Sequence, residues 1–171
     1  DALDEKDETM SLSSSHWDTD LEDDDLTATK TQTDQEIYEE TCQNLGVTPV
    51  SRFSKEIGQE EVKLSHRHLH GLGAKAMAVV LANCSTTTKV QVPSNEFSSK
   101  GGIYMGKVLR RNSTLTDLNL ANNNINKAGI KAISEAISEN TVIRRLDLSG
   151  NGLTDKDARI LSDAIENNSS L

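Results

Sequence analysis

The chain has 171 residues, a formal net charge of −9 and a mean hydropathy of −0.53. The acid is concentrated at one end: residues 1–36 hold thirteen Asp and Glu against Lys6 and Lys30, so they carry −11 and the rest of the chain +2. No basic face is present to attract phosphates and no apolar run nears the roughly 20 residues that span a bilayer, so neither nucleic acid nor membrane is expected as a partner.

Residues 1–33 read as a disordered acidic tail. Their apolar residues (Leu3, Met10, Leu12, Trp17, Leu21 and Leu26) follow no sustained period, and so few cannot bury enough surface to offset the entropy of ordering. Few contacts with the remainder are expected, with Trp17 the one residue able to anchor locally. Ser15 and Thr19 each have an acid three places on, a pattern that suits acid-directed kinases. The sequence opens on Asp1 without an initiator Met, and no targeting segment is visible.

Residues 34–58 predict two short amphipathic helices. Asp34 is the expected cap of the first, which carries Ile37, Tyr38 and Cys42 and ends near Gly46. Thr48-Pro49 is the expected start of the second, with Pro at the first helical position and Val50, Phe53 and Ile57 on one face. Placed here, the pair would cover the open end of whatever core follows. Cys42 and Cys84 are too few for a disulfide framework and read as free thiols in a reducing, cytoplasmic setting.

From residue 59 onward the sequence repeats with a period of 28, giving units 59–86, 87–114, 115–142 and 143–170, and Leu171 at the opening place of a fifth. The third unit is the clearest: Leu115, Leu118, Leu120, Asn123 and Ile125, then Gly129, Ile130, Ile133, Ile137 and Asn140. Scored over those ten positions, the four units match at seven, eight, ten and nine, without an insertion. Alternating Leu118 and Leu120 predict a short strand with one buried face; Ile130, Ile133 and Ile137 switch the period to 3.6 and predict a helix. Four parallel strands are expected, starting near residues 61, 89, 117 and 145, each followed by a helix. Asn95, Asn123 and Asn151 fall where the chain leaves each strand, and a side-chain amide there can satisfy backbone groups that lack ladder partners. Thr154 with Asp157 predicts a helix cap. A unit of this kind cannot bury both faces alone, so stacking supplies the core.

A strand and a full helix in 28 residues resembles the ribonuclease-inhibitor class of leucine-rich repeats. That resemblance implies an α/β solenoid, a right-handed horseshoe fragment with parallel strands on the concave face and helices on the convex face. The lead-in residues Tyr38, Cys42, Gly46, Pro49 and Phe53, followed by Gly71, Gly73 and an Ala-rich helix, are similar to the leucine-rich repeat-containing protein 74 family. That family implies an intracellular repeat protein with no catalytic residues to transfer. Departures from the template are Arg67 and Cys84 for Asn, Thr87 for the opening apolar residue and Asp157 for Gly. An atypical first unit suits a capping role, and Leu171 predicts an array that continues past this sequence. The Gly101-Gly102 pair, with Thr87, predicts a weak second unit, because glycine adds unfolded-state entropy and removes apolar contact.

The residues that suggest chemistry have plainer readings. His66, His68 and His70 alternate and could share a zinc ion on a strand, but the template puts them in the turn toward the helix, with neither thiolate nor matching carboxylate. Asn83-Cys84-Ser85, Asn112-Ser113-Thr114 and Asn167-Asn168-Ser169 fit the glycosylation pattern, yet all stand where the template closes in Asn. Gly101-Gly102 and Ser149–Gly152 lack the spacing of phosphate loops. No nucleophilic triad or carboxylate pair converges, and no cofactor or metal is implied.

What remains is surface. Strand residues that face away from the core form columns, one residue per unit: Glu61, Lys89, Asp117 and Arg145; Lys63, Gln91, Asn119 and Asp147; Ser65, Pro93, Ala121 and Ser149. Parallel strands lie about 4.8 Å apart, so the first column alternates in sign between neighbours and predicts a ladder of ion pairs. The columns hold none of the aromatic anchors that dominate most protein interfaces. They are the candidate surface for a protein partner, on a non-enzymatic scaffold. Two other readings share the repeat class: a GTPase activator of the Ran type, for which Arg67 is the single loop arginine, and the sensing end of an innate immune receptor, which needs a nucleotide-binding domain not found in these residues.

Overall fold

The computed structural model describes residues 32–171, so the expected acidic tail falls almost wholly outside the described residues. Helix α1 (Asp34–Leu45) is capped by Thr33 and not by Asp34. The Thr33 hydroxyl accepts the Glu36 N–H while the Glu36 carboxylate accepts the Thr33 N–H, a reciprocal box that leaves Asp34 in the first turn, where its charge suits the helix dipole. The helix stops at Gly46, whose φ of 66° closes it in a left-handed turn. Helix α2 (Ser51–Glu56) begins later than the Thr48-Pro49 pair predicts. Val50 is its extended N-cap, and the Val50 N–H donates to the Tyr38 hydroxyl at 3.1 Å. Tyr38 and Phe53 meet edge to face, 4.5 Å between ring centres, and both are buried with Cys42 and Ile57.

Four strands follow at the predicted places: β1 (Glu61–Lys63), β2 (Lys89–Gln91), β3 (Asp117–Asn119) and β4 (Arg145–Asp147). They pair in parallel in chain order, with a register of 28 at every step: Glu61 to Lys89 to Asp117 to Arg145. Helices α3 (His70–Leu81), α4 (Ser98–Arg111), α5 (Asn126–Glu139) and α6 (Asp155–Glu166) form the second layer. Val62, Leu64, Val90, Val92, Leu118 and Leu120 point from the strands into the core between the layers, where Met77, Met105, Ile130, Ile133 and Ile137 meet them. This is the α/β leucine-rich repeat solenoid.

Helix α3 is buried on most of its circumference because α1 packs on one side of it and α4 on the other. Helix α2 lies against β1, and its Glu56 carboxylate accepts the Lys63 N–H at 2.8 Å, one of the donors that β1 turns outward. Against the expectation of a weak second unit, Gly102 is a contact point. A Cβ there would collide with Ile125 and with the Gly129 backbone at 2.8 Å, so the pair of glycines is what lets α4 and α5 pack backbone to backbone. Thr87 likewise keeps a buried place by donating its hydroxyl to the Gln59 carbonyl at 2.8 Å.

Two asparagine columns stitch the units together. The Asn123 amide donates to the carbonyls of Val92, Leu120 and Ala121, at 2.9, 3.0 and 3.1 Å, and its oxygen accepts the Asn95 N–H at 2.9 Å. Asn95 and Asn151 repeat the pattern one unit to either side. The second column follows α4, α5 and α6: Asn112, Asn140 and Asn168 donate to the preceding unit and accept the N–H groups two and three residues on. In each case the side-chain amide satisfies three to five backbone groups that the turn would otherwise strand, and all but Asn168 are buried.

Candidate protein-binding surface

The eight candidate residues of the first two columns stand on the exposed face of the sheet, in register, none of them fully buried. The predicted ladder of neighbouring ion pairs forms at only one step. Arg145 Nε reaches Asp117 Oδ1 at 2.9 Å, with the arginine 82% exposed and the aspartate 14%. Lys89 does not pair with Glu61. Its ammonium binds Glu60 at 3.0 Å, while Glu61 is held by Lys63 on its own strand at 2.7 Å. The reason is local: the Lys89 N–H already donates to the Glu60 carbonyl, so Glu60 stands level with Lys89 at the strand entry. The hydrogen bond and charge of Glu60 hold the Lys89 ammonium above its ordinary pKa, and Glu61 and Asp117 add to the effect.

Part of the second column serves the fold. Asn119 Oδ1 accepts the Ala121 N–H at 2.9 Å, and Asp147 Oδ1 accepts both the N–H and the hydroxyl of Ser149. These side chains turn back to the strand ends, which leaves Lys63, Gln91, Lys89 and Arg145 as the groups with most reach toward a partner. Surface pairs of this kind contribute at most about 1 kcal/mol each, so a partner can exchange them at little cost.

Above the sheet, each strand leads into a loop of alternating left-handed residues. His66, His68 and His70 have φ between 50° and 61°, as do Ser94, Glu96 and Ser98, then Asn122, Asn124 and Asn126; Gly150 and Gly152, at 66° and 68°, continue the series. The backbone is the same in the first three units whatever the side chain, and its N–H groups pair with the next unit: Ser94 to Ala121 at 2.9 Å and Ser98 to Asn123 at 2.9 Å. The glycines of Ser149–Gly152 therefore answer a backbone demand. In the fourth unit the last place goes to Thr154, which forms the predicted capping box with Asp157, and its hydrogen bonds hold the Asp157 carboxyl below its ordinary pKa.

The three histidines do not converge on one point. His68 and His70 flank Glu96 of the next unit, Nδ1 to carboxylate 2.7 and 3.3 Å, and among the described residues no group of three or more His, Cys, Asp or Glu is placed to hold a metal ion. Arg67 is exposed in the same loop, and its N–H donates to Asn95 Oδ1 at 2.9 Å. Of the sequon asparagines, Asn112 is buried with its amide committed to Leu81 and Cys84, whereas Asn83 and Asn167 are exposed. Both cysteines are buried and free, and burial pushes the Cys42 thiol up. No helix among the described residues is long and apolar enough to cross a membrane.

Sequence reading missed one feature, a groove of about 880 Å³ on the helix side of the first unit. Its walls come from Tyr38, from the α1–α2 loop at Val47–Val50, from Arg67–Lys75, and from Ser98, Lys100 and Tyr104. Those segments share no motif, so only the fold brings them together.

A family model described as a leucine-rich repeat matches residues 111–134 and 139–162, the third and fourth units. Among solved structures, the chain is similar to one titled "Leiomodin-1 Actin-Binding Site 2 (ABS2)". The TM-score is 0.55 at 18% identity, over 83% of this chain and 77% of that one. At that identity the likeness is one of fold.

Proposed function

We propose that this leucine-rich repeat protein is a non-enzymatic interaction scaffold inside the cell, whose protein partner meets the concave face along the columns that begin at Glu61 and Lys63. The observation that carries this reading is the register. Four strands repeat at 28 residues, so Lys89 and Arg145 project from one continuous polar surface with most of their ion pairs exposed. Supporting it, the chemistry-bearing residues have structural roles or none. The histidines meet Glu96, the loop glycines supply turns, and the cysteines are buried. Similarity to a structure titled as an actin-binding site adds that a fold of this kind can serve protein binding. The resemblance to the leucine-rich repeat-containing protein 74 family belongs to this reading too, supported by the joint burial of Tyr38, Cys42 and Phe53.

The test is affinity purification with the wild-type chain beside Lys89→Glu/Arg145→Glu. Lys89 is 39% and Arg145 82% exposed and each pairs with an acid, so the double variant should lose some stability, and melts of both chains set a temperature at which both are folded for the comparison. The reading expects a partner retained by the wild type and lost, by tenfold or more, from the variant. Equal retention of every partner would remove the concave face from consideration.

A further inference from the structure

The helix-side groove has a composition unlike the rest of the chain. Arg67, Lys75 and Lys100 line it together with His68 and His70, and none of its described lining residues is an Asp or Glu. The nearest carboxylate at the histidines, Glu96, binds both imidazoles. Between the cations the walls are apolar: Val47, Pro49 and Val50 on one side, and on the other Leu72, which is 49% exposed and among the most exposed large apolar side chains of the described residues. An acidic chain has gathered three permanent cations around uncovered apolar surface. Such a site fits an occupant that alternates acids with large apolar residues.

The chain contains one. Residues 17–26 read Trp-Asp-Thr-Asp-Leu-Glu-Asp-Asp-Asp-Leu, with six acids, three apolar residues and no base. The segment lies outside the described residues, and its tether is short. Six residues lie between Leu26 and Thr33, and an extended chain spans up to about 25 Å over those seven Cα-to-Cα steps. The groove runs alongside α1 from Tyr38 to the loop at Val47–Val50, and α1 rises about 1.5 Å per residue. Tyr38 is therefore about 6 Å along the axis from the helix start, and the far wall about 18 Å, both within reach. A tether of this length keeps the segment at an effective concentration of order millimolar, enough to fill a weak site.

We infer that the groove formed by Val47–Val50, Arg67–Lys75 and Lys100 is a docking site for the chain's own acidic segment, Trp17–Leu26. The carboxylates meet Arg67, Lys75 and Lys100, and Trp17 or Leu21 covers Leu72. By composition the segment is rich in acid and poor in apolar residues, and the groove supplies the opposite charge and further apolar surface. This surface is separate from the concave face, so either assignment stands without the other.

Trp17 is the only tryptophan in the chain, which makes the full-length protein its own reporter. At low salt its emission should be blue-shifted and shielded from iodide. Raising the salt to 1 M should move the emission to that of an exposed indole, because exposed pairs are screened within a few ångströms there. Lys75→Glu/Lys100→Glu should give the exposed spectrum at low salt, with circular dichroism and melting checked against the wild type. An exposed, salt-insensitive Trp17 in the wild type would overturn the inference. So would a blue shift that grows with protein concentration, which would assign the groove to a second copy's segment. A shift indifferent to both salt and the lysine variants would place Trp17 elsewhere and overturn it equally. If the lysine variant does not fold, the wild-type salt titration decides alone.

Discussion

Asn123 shows how much one side chain can hold in this architecture. It is fully buried, its amide bonds three carbonyls from two units, and its oxygen takes an N–H from a third position. Alanine would leave those groups buried without partners, and a single unsatisfied buried group costs about 1–3 kcal/mol. Asn123→Ala should therefore lose roughly 3 kcal/mol or more in a denaturant melt, whereas Asn124→Ala, on an exposed side chain one residue away, should lose about 1 kcal/mol from its left-handed backbone. Similar losses at the two positions would mean that the ladder carries little of the stability. The residue scale is also where the sequence was most and least legible. The Asn positions could be read because a donor and acceptor on one short side chain suit that turn. The left-handed positions could not, because His66, Ser94, Asn122 and Gly150 share a backbone and no side-chain chemistry. The choice of Glu60 over Glu61 by Lys89 was hidden for a similar reason, since it follows from strand-entry geometry.

At the scale of elements, strand starts and helix faces could be read directly from the period, while helix starts could not always. Helices α3, α4 and α5 begin without a side-chain cap, their first turns tied instead to the adjoining units, so no local signal marks their N-termini. Helices α1 and α6 begin with capping boxes, and both boxes have a pH dependence whose sign follows from the hydrogen bonds. The Glu36 and Asp157 carboxyls are lowered in the folded chain, chiefly by bonds to Thr33 and Thr154. Their contribution is thus complete above the unfolded values, near pH 4, and is lost as pH falls through the lowered folded values. Thr154→Ala should cost about 1 kcal/mol at pH 7, and the difference from wild type should shrink as the pH is taken well below 4. A difference that stayed constant down to pH 2 would show that the box is not formed by the charged carboxylate. The basic groove belongs to this scale as well. It was illegible because four segments between Tyr38 and Tyr104 build it, and each alone reads as a loop or a helix face.

At the scale of the molecule, each unit touches only its neighbours among the described residues, so stability should grow with the number of covered sides. Leu118 is 2% exposed between β2 and β4, while Leu146 of β4 is only partly buried. The exposed large apolar residues Leu153 and Ile165 lie on the fourth unit and Leu171 directly follows it, so its outer face is uncovered among the described residues. The proposed interaction face depends on this stacking, because the columns keep their register only while neighbouring strands hold together. Paired denaturant melts of Leu118→Ala and Leu146→Ala therefore test the stacked array most directly. The account predicts a loss of about 2–5 kcal/mol for Leu118→Ala and a clearly smaller one for Leu146→Ala. Equal losses, at protein concentrations where the chain is monomeric, would contradict it.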